Sequence, residues 1–315
     1  MTEKSNAVLW RYLIGLFFGI LFVSTAAIFI RFAQAEASSL IIAAYRLTIS
    51  SFILGIIVIV SGTDVFKVFT RKQLWLALLA GIFLAVHFAS WITSLAYTSV
   101  ASSVVLVTTT PLWVAMLSPL VLKEPIRKNV IAGLIVAMLG GAIVGLSNMC
   151  VFQQGSLTCT PISYLFSGRA LLGNGLALFG AFMAAGYMLV GRRLRSTVDT
   201  LPYAFVVYGI SAILIDIVVV INGENLFNYA SATWMWFIGL AVFPQLLGHS
   251  IFNWALRYLP ASVVSIALLG EPIGSTLLAY IFLKEQPTII EMVGGILILI
   301  GITVASLQKQ RVNVA

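Results

Sequence analysis

Ten stretches of this chain are apolar for 18 to 23 residues at a time: 13–30, 40–60, 74–96, 101–122, 130–147, 170–190, 200–221, 233–254, 261–283 and 289–307. Crossing about 30 Å of hydrocarbon takes about 20 apolar residues in a helix, so each stretch has the length of a membrane span. A transmembrane barrel reads differently, because its strands are about 10 residues of alternating polarity. Only residues 97–100 separate the third and fourth stretches, and only 255–260 the eighth and ninth, which predicts two tight antiparallel hairpins. The 315 residues are 61% hydrophobic and 9% charged, against about 45–50% and about 25% in soluble domains. A soluble enzyme is therefore excluded. The expectation is an all-α integral membrane protein with ten transmembrane helices and the lipid bilayer as its surroundings.

Eighteen Lys and Arg against ten Asp and Glu give a net charge of +8. The basic residues sit in short clusters between apolar runs, so they report topology rather than a nucleic-acid partner. With the N-terminus in the cytoplasm, that side collects Lys4, Arg11, Lys67, Arg71, Lys72, Lys123, Arg127, Lys128, Arg192, Arg193, Arg195, Arg257, Lys309 and Arg311, which is 14. The other side holds 3: Arg31, Arg169 and Lys284. The excess marks the cytoplasmic side. The expected location is the cytoplasmic (inner) membrane, multi-pass, with both termini cytoplasmic and the first stretch retained rather than cleaved. The outward linker, 148–169, carries Cys150 and Cys159. They form a disulfide if that side is oxidising, or remain two thiols; a four-cysteine metal site is excluded.

The chain also repeats itself at an offset of 161 residues. Ile49-Ser50 matches Ile210-Ser211, Trp75 matches Trp236, Leu95 and Tyr97 match Leu256 and Tyr258, and Pro111 matches Pro272. Leu122-Lys123-Glu124 matches Leu283-Lys284-Glu285, Gly133 and Gly140 match Gly294 and Gly301, and Arg31 matches Arg192. The division is 7–147, linker 148–169, and 170–308. Five spans is an odd number, so the second copy enters the membrane upside down. Two such repeats related by an in-plane pseudo-two-fold axis build many secondary transporters, with substrate bound near the midplane between them. A duplication can also leave symmetry without a transport role.

Residues 95–126 read LAYTSVASSVVLVTTTPLWVAMLSPLVLKEPI and 255–287 read ALRYLPASVVSIALLGEPIGSTLLAYIFLKEQP. With STAAIFIRFA at 24–33 and AAYRLTISS at 43–51, the chain resembles the EamA repeat of the drug/metabolite transporter superfamily over essentially its whole length. The resemblance implies ten helices, two inverted repeats and export of small organic molecules. Two departures stand out: Thr110 where the second repeat has Glu271, and Lys123 and Lys284 where the family often has Gly before the Glu.

A charge at the bilayer centre costs about 2.5–3.5 kcal/mol even on lenient scales, so such residues face the bundle interior. Arg46 suits a carboxylate or phosphate; alternatively it forms a structural ion pair or caps backbone carbonyls. Glu271 precedes Pro272, which predicts a kink near 267–268; a carboxylate there can bind a proton or partner Arg46. His87 and His249 occupy nearly equivalent places in the two repeats and are candidates for substrate contact or proton relay. Asp216 reads better as an interhelical hydrogen bond. Tyr45, Trp91, Trp113, Tyr187, Asn253 and the Thr109-Thr110 turn complete the candidate pocket, while Trp75, Tyr97, Trp234 and Trp236 read as interfacial anchors. Gly140-Gly141 and Gly294-Gly295 read as close-packing surfaces.

No phosphate-binding GxxxxGK[ST], HExxH or GxSxG occurs, and no metal or cofactor is expected. The expected activity is export of a small amphipathic metabolite, such as an amino acid, by alternating access, with proton coupling left open. The rivals are an uncoupled facilitator, a scaffold, and an intramembrane lipid- or isoprenoid-modifying enzyme. Segments 1–4 and 6–9 should enclose the cavity; segments 5 and 10 should be peripheral or form a homodimer.

Overall fold

A computed structural model of the chain describes residues 2–98, 100–126, 128–147, 150–153, 156–159, 168–283 and 289–306. The Lys284-Glu285 pair and most of the linker lie outside them. In order, the helices are α1 Thr2–Ser24, α2 Ala26–Ala33, α3 Ser39–Val60, α4 Val65–Val68, α5 Arg71–Ser94, α6 Val100–Val107, α7 Thr110–Val121 and α8 Lys128–Ser147. The second half supplies α9 Gly168–Arg195, α10 Thr200–Ile221, α11 Ser231–Leu240, α12 Ser250–Tyr258, α13 Ala261–Ala267, α14 Glu271–Leu283 and α15 Ile289–Ser306. A π-helix at Ala241–His249 joins α11 to α12, and a 3-10 turn at Leu268–Gly270 joins α13 to α14. The linker, read from sequence as a loop, forms a two-stranded antiparallel ribbon in which the backbone of Cys150 faces that of Cys159.

Among the described residues seven helices are long and apolar enough to cross a membrane, and three apolar helices are shorter: Thr110–Val121, Lys128–Ile143 and Met292–Ala305. Helix is the dictated form, because hydrocarbon supplies no partner for a free N–H or C=O. Helix starts are set by short polar residues. Ser38 accepts the N–H of Ile41, and Thr70 and Gln73 close a reciprocal capping box at the start of α5. Apolar side chains point outward, with Ile59 80% and Val60 81% exposed, an arrangement that suits lipid and not water. Serines and the buried charges point inward.

Packing pairs the halves. α5 lies along α9, α3 along α10, α8 along α15, and α1 along the π-helix. The Ser50 hydroxyl donates to the carbonyl of Ala241, and its repeat mate Ser211 donates to that of Gly81. Between α8 and α15 the glycines fit backbone to backbone. A Cβ on Gly133 would lie 2.5 Å from the Gly301 carbonyl oxygen, and one on Gly140 would lie 2.6 Å from that of Gly294. Gly133, Gly140 and Gly301 are thus occupied within one chain, whereas a Cβ on Gly141 would meet nothing within 4 Å and one on Gly295 only Ile273 at 3.8 Å. α5 runs against α9: Thr98, just past one end of α5, donates to Asn174, while Gln73 at the other end donates to Thr197. α2 finishes beside the C-terminal end of α5, where Gln34 bonds Ile92, and α9 finishes beside its N-terminal end.

Lys123, where the family resemblance implies Gly, has φ +57°, a left-handed backbone that glycine adopts without cost. Lys123→Gly is expected to stabilise the protein by about 1 kcal/mol, read as a raised midpoint of thermal unfolding in detergent. Glu36 accepts from the Thr233 hydroxyl at 2.7 Å and the Ala230 N–H at 3.1 Å, tying the α2–α3 turn to the start of α11. Those bonds hold its carboxyl below the usual carboxylate range. The tie is therefore complete at neutral pH and is lost as pH falls through that lowered value. Glu36→Gln should lessen the acid sensitivity of hydrogen-exchange protection at residues 230–233.

Candidate functional site

Inside the bundle, among its buried polar residues, lies a cavity of about 60 Å³, room for a few waters. Its position follows from two broken helices. The fourth segment is interrupted at Thr108-Thr109, between α6 and α7, where Pro111 cannot donate a helical bond. The ninth is interrupted by the 3-10 turn before Glu271 and Pro272. The breaks are equivalent at the 161-residue offset. Interrupted spans at matching places in two repeats mark where transporters bind substrate.

Around the cavity stand Val23 and Ala26, Arg46, His87 and Trp91, Thr108 and Thr110, Tyr187 and Met188, His249, Asn253 and Leu256, and Glu271. Eight residues anticipated from sequence are therefore brought together: Arg46, His87, Trp91, Thr110, Tyr187, His249, Asn253 and Glu271. Three are not among its lining. The Tyr45 hydroxyl bonds the Leu226 carbonyl, and its ring stacks on Phe237. Thr109 returns its hydroxyl to Leu106, and Trp113 packs edge-on against Phe182.

Arg46 is 1% exposed. Its Nε donates to Gln245 Oε1 at 2.7 Å, its guanidinium lies 4.1 Å above the Phe88 ring, and its Nη1 has no partner. The ion pairs within 4.0 Å among the described residues are Lys67–Asp64, Arg192–Glu124 and Arg257–Asp199, so neither Glu271 nor any other carboxylate neutralises Arg46 at contact. His87 Nδ1 meets the Gly180 carbonyl at 2.9 Å. A carbonyl only accepts, so Nδ1 carries the proton and, in the neutral ring, Nε2 is left as an acceptor. The His87 ring is parallel to Trp91, whose Nε1 is also unpartnered. His249 sits edge-on to Phe88, the ring beneath Arg46.

Gln245 was missed by sequence reasoning. It is fully buried on the π-helix behind Pro244, and π-turns gather at functional sites. The available signal was an amide inside an apolar span beside a proline. Tyr208 accepts from Asn253 Nδ2 at 3.0 Å, while the Tyr187 hydroxyl donates to Asn253 Oδ1 at 2.7 Å. Asn253 thereby joins α9, α10 and α12 on one wall. Asp216, as expected, takes an interhelical bond, from Thr48 at 2.9 Å.

The chain matches the EamA-like transporter family twice, over residues 10–146 and 171–307. It is 25% identical over 218 residues to YetK of Bacillus subtilis (strain 168), described as an uncharacterized transporter, covering 68% of this chain and 62% of that protein. YdfC of the same organism, also described as an uncharacterized transporter, is 23% identical over 210 residues, 66% of this chain and 63% of the relative. The chain thus spans less than two thirds of the length of these two relatives. A solved crystal structure shares the fold with a TM-score of 0.73 at 18% identity, over 94% of this chain and 96% of the other.

Replacing Gln245 with Leu leaves a buried Nε–H of Arg46 unpaired. The expected loss is about 2–3 kcal/mol of stability, measured by thermal unfolding in detergent, with Gln245→Glu retaining the bond.

Proposed function

Because the chain belongs to the EamA-like transporter family, we propose that it is a secondary transporter exporting a small amphipathic metabolite, an amino acid or similar solute, by alternating access. Its lipid-facing exterior makes it a multi-pass membrane protein. In our reading all ten segments span the cytoplasmic membrane, with both termini on the basic, cytoplasmic side. Residues 7–147 and 170–308 are inverted repeats joined by the linker. The opposite directions in which α2 and α9 end beside α5 support the inversion.

One observation carries the substrate reading. Arg46 is a buried cation whose Nη1 points at no protein partner and whose Nε is held by an uncharged amide. A structural ion pair or carbonyl cap, the alternatives at this position, would occupy those donors. A buried charge with no carboxylate at contact is costly, and a solute carboxylate in the cavity would relieve it. Trp91 and Tyr187 would bound the apolar body, and Glu271, across the cavity, would take a solute ammonium or a proton. His87, His249, Thr110 and Asn253 complete this substrate-facing set. A homodimer, where formed, would use the exposed apolar faces of α8 and α15 rather than their paired glycines.

The test is flux of pooled amino acids and nucleosides into proteoliposomes, with and without a pH gradient. Amino-acid uptake should fall at least about tenfold in Arg46→Gln, the loss of one charge-assisted contact, while fold and insertion persist. Uptake that follows the gradient and disappears in Glu271→Gln makes the transporter proton-coupled. Gradient-independent uptake that survives Glu271→Gln makes it a facilitator. Turnover of lipid without solute flux would overturn the transporter reading.

A further inference from the structure

The two ends of the bundle carry repeat-related residues, yet only at one end do they meet in hydrogen bonds among the described residues. At the basic end, Arg192 near the end of α9 donates through Nε to Glu124 Oε1 at 2.8 Å. Its Nη1 reaches the carbonyls of Leu256 at 2.7 Å and Arg257 at 3.0 Å, the last turn of α12. Leu256 itself lines the cavity. One guanidinium thus pins α9, the turn after α7, and α12 together directly below the site.

Shifting by 161 residues gives the same set at the other end. Arg192 becomes Arg31, Leu256 and Arg257 become Leu95 and Ala96, and Glu124 becomes Glu285, which lies outside the described residues. Arg31, Leu95 and Ala96 do come together here, but around a gap: they line an open pocket of about 520 Å³ with Gln34, Tyr97 and Glu224. The neighbouring layer is made at both ends. Arg195 donates to the Asn253 carbonyl and to Thr200, and its repeat mate Gln34 donates to the Ile92 carbonyl and to Ser39, which are the repeat mates of those acceptors. The scaffold around each arginine is therefore formed twice, and the latch itself once.

We infer that Arg192 and Arg31 are the same latch in its closed and open forms, and that they close in alternation. In the opposite state Arg31 would close on the Leu95 and Ala96 carbonyls while Arg192 releases Leu256 and Arg257. Asn253 and Leu256, one turn apart on α12, connect the solute site to the basic-end latch. A solute that moves α12 acts on the latch through a single rigid helix. The inference rests on the two-repeat, alternating-access reading and goes beyond it by naming the residues that switch.

The experiment needs no solute. Met188, a cavity residue, is changed to Cys in a chain whose Cys150 and Cys159 are Ser. A membrane-impermeant methanethiosulfonate is then applied to each face of sealed vesicles. The parent should react faster from the Arg31 face. Arg192→Gln and Glu124→Gln should each raise reaction from the basic face about tenfold, as expected for losing one charge-assisted hydrogen bond. Arg31→Gln should shift reaction the opposite way, and the Arg31→Gln/Arg192→Gln double variant should return towards the parent. Glu124→Gln leaves Arg192 in place, so the test survives a misfolded Arg192 variant. Shifts in the same direction for Arg31→Gln and Arg192→Gln, or no shift in either, overturn the latch. Reciprocal shifts without solute flux uphold the latch and count against the transport reading; flux with unmoved labelling does the reverse.

Discussion

A charge buried among apolar helices must be met by something, and Arg46 is the charge around which this bundle is organised. Gln245 holds one of its nitrogens, Phe88 supports the guanidinium plane, and His249 packs edge-on against that ring. Those contacts require the π-helix to bring Gln245 inward. They also require α3 and α5 to meet the second half of the chain at that depth. The cavity is what remains where the protein supports Arg46 and keeps Glu271, in the same lining, beyond ion-pair distance. Its emptiness of protein donors and acceptors at Nη1 is the physical basis for reading it as a solute site.

The same hydrocarbon constraint explains where helices break. Interruptions at Thr108-Thr109 and Leu268–Gly270 would expose backbone groups to lipid on the outside of the bundle. Both lie at the cavity instead, where the hydroxyls of Thr108 and Thr110 bond carbonyls of the preceding turn. The helix breaks are thereby confined to a place where polar groups already collect. The lipid-facing helices α8 and α15 take the opposite course. They are locked by glycines at backbone distance and carry no site residue.

The asymmetry of the ends has energetic content. On the alternating-access reading, repeat-related residues in one chain can form similar contacts at either end, so two states with opposite ends closed would have comparable internal energies. A solute then has only a small difference to overcome. Equal scaffolding at Arg195 and Gln34 with unequal latching at Arg192 and Arg31 is what such a balance looks like when one state is populated.

Membrane residence, the existence of every apolar segment as helix, the repeat, and the proline breaks were legible from the sequence. Each depends on a pattern local in the chain or fixed by an offset: span length, proline position and matched residues. The family follows from the same motifs. The polar candidates were legible as a class, since charge and imidazole in hydrocarbon are rare. Their sorting was not. Tyr45 and Trp113 look like pocket aromatics in a linear reading, yet tertiary packing turns them to Leu226 and Phe182. Gln245 looks like an isolated amide until α3 delivers Arg46, 199 positions away in the chain, to its oxygen. Lys123 looks like a departure from a glycine until its positive φ shows what the glycine would have eased. Segment existence is set by the solvent, lipid, acting on about 20 residues at once. Which side chain faces the cavity, and which latch is shut, is set by contacts between residues the chain keeps far apart.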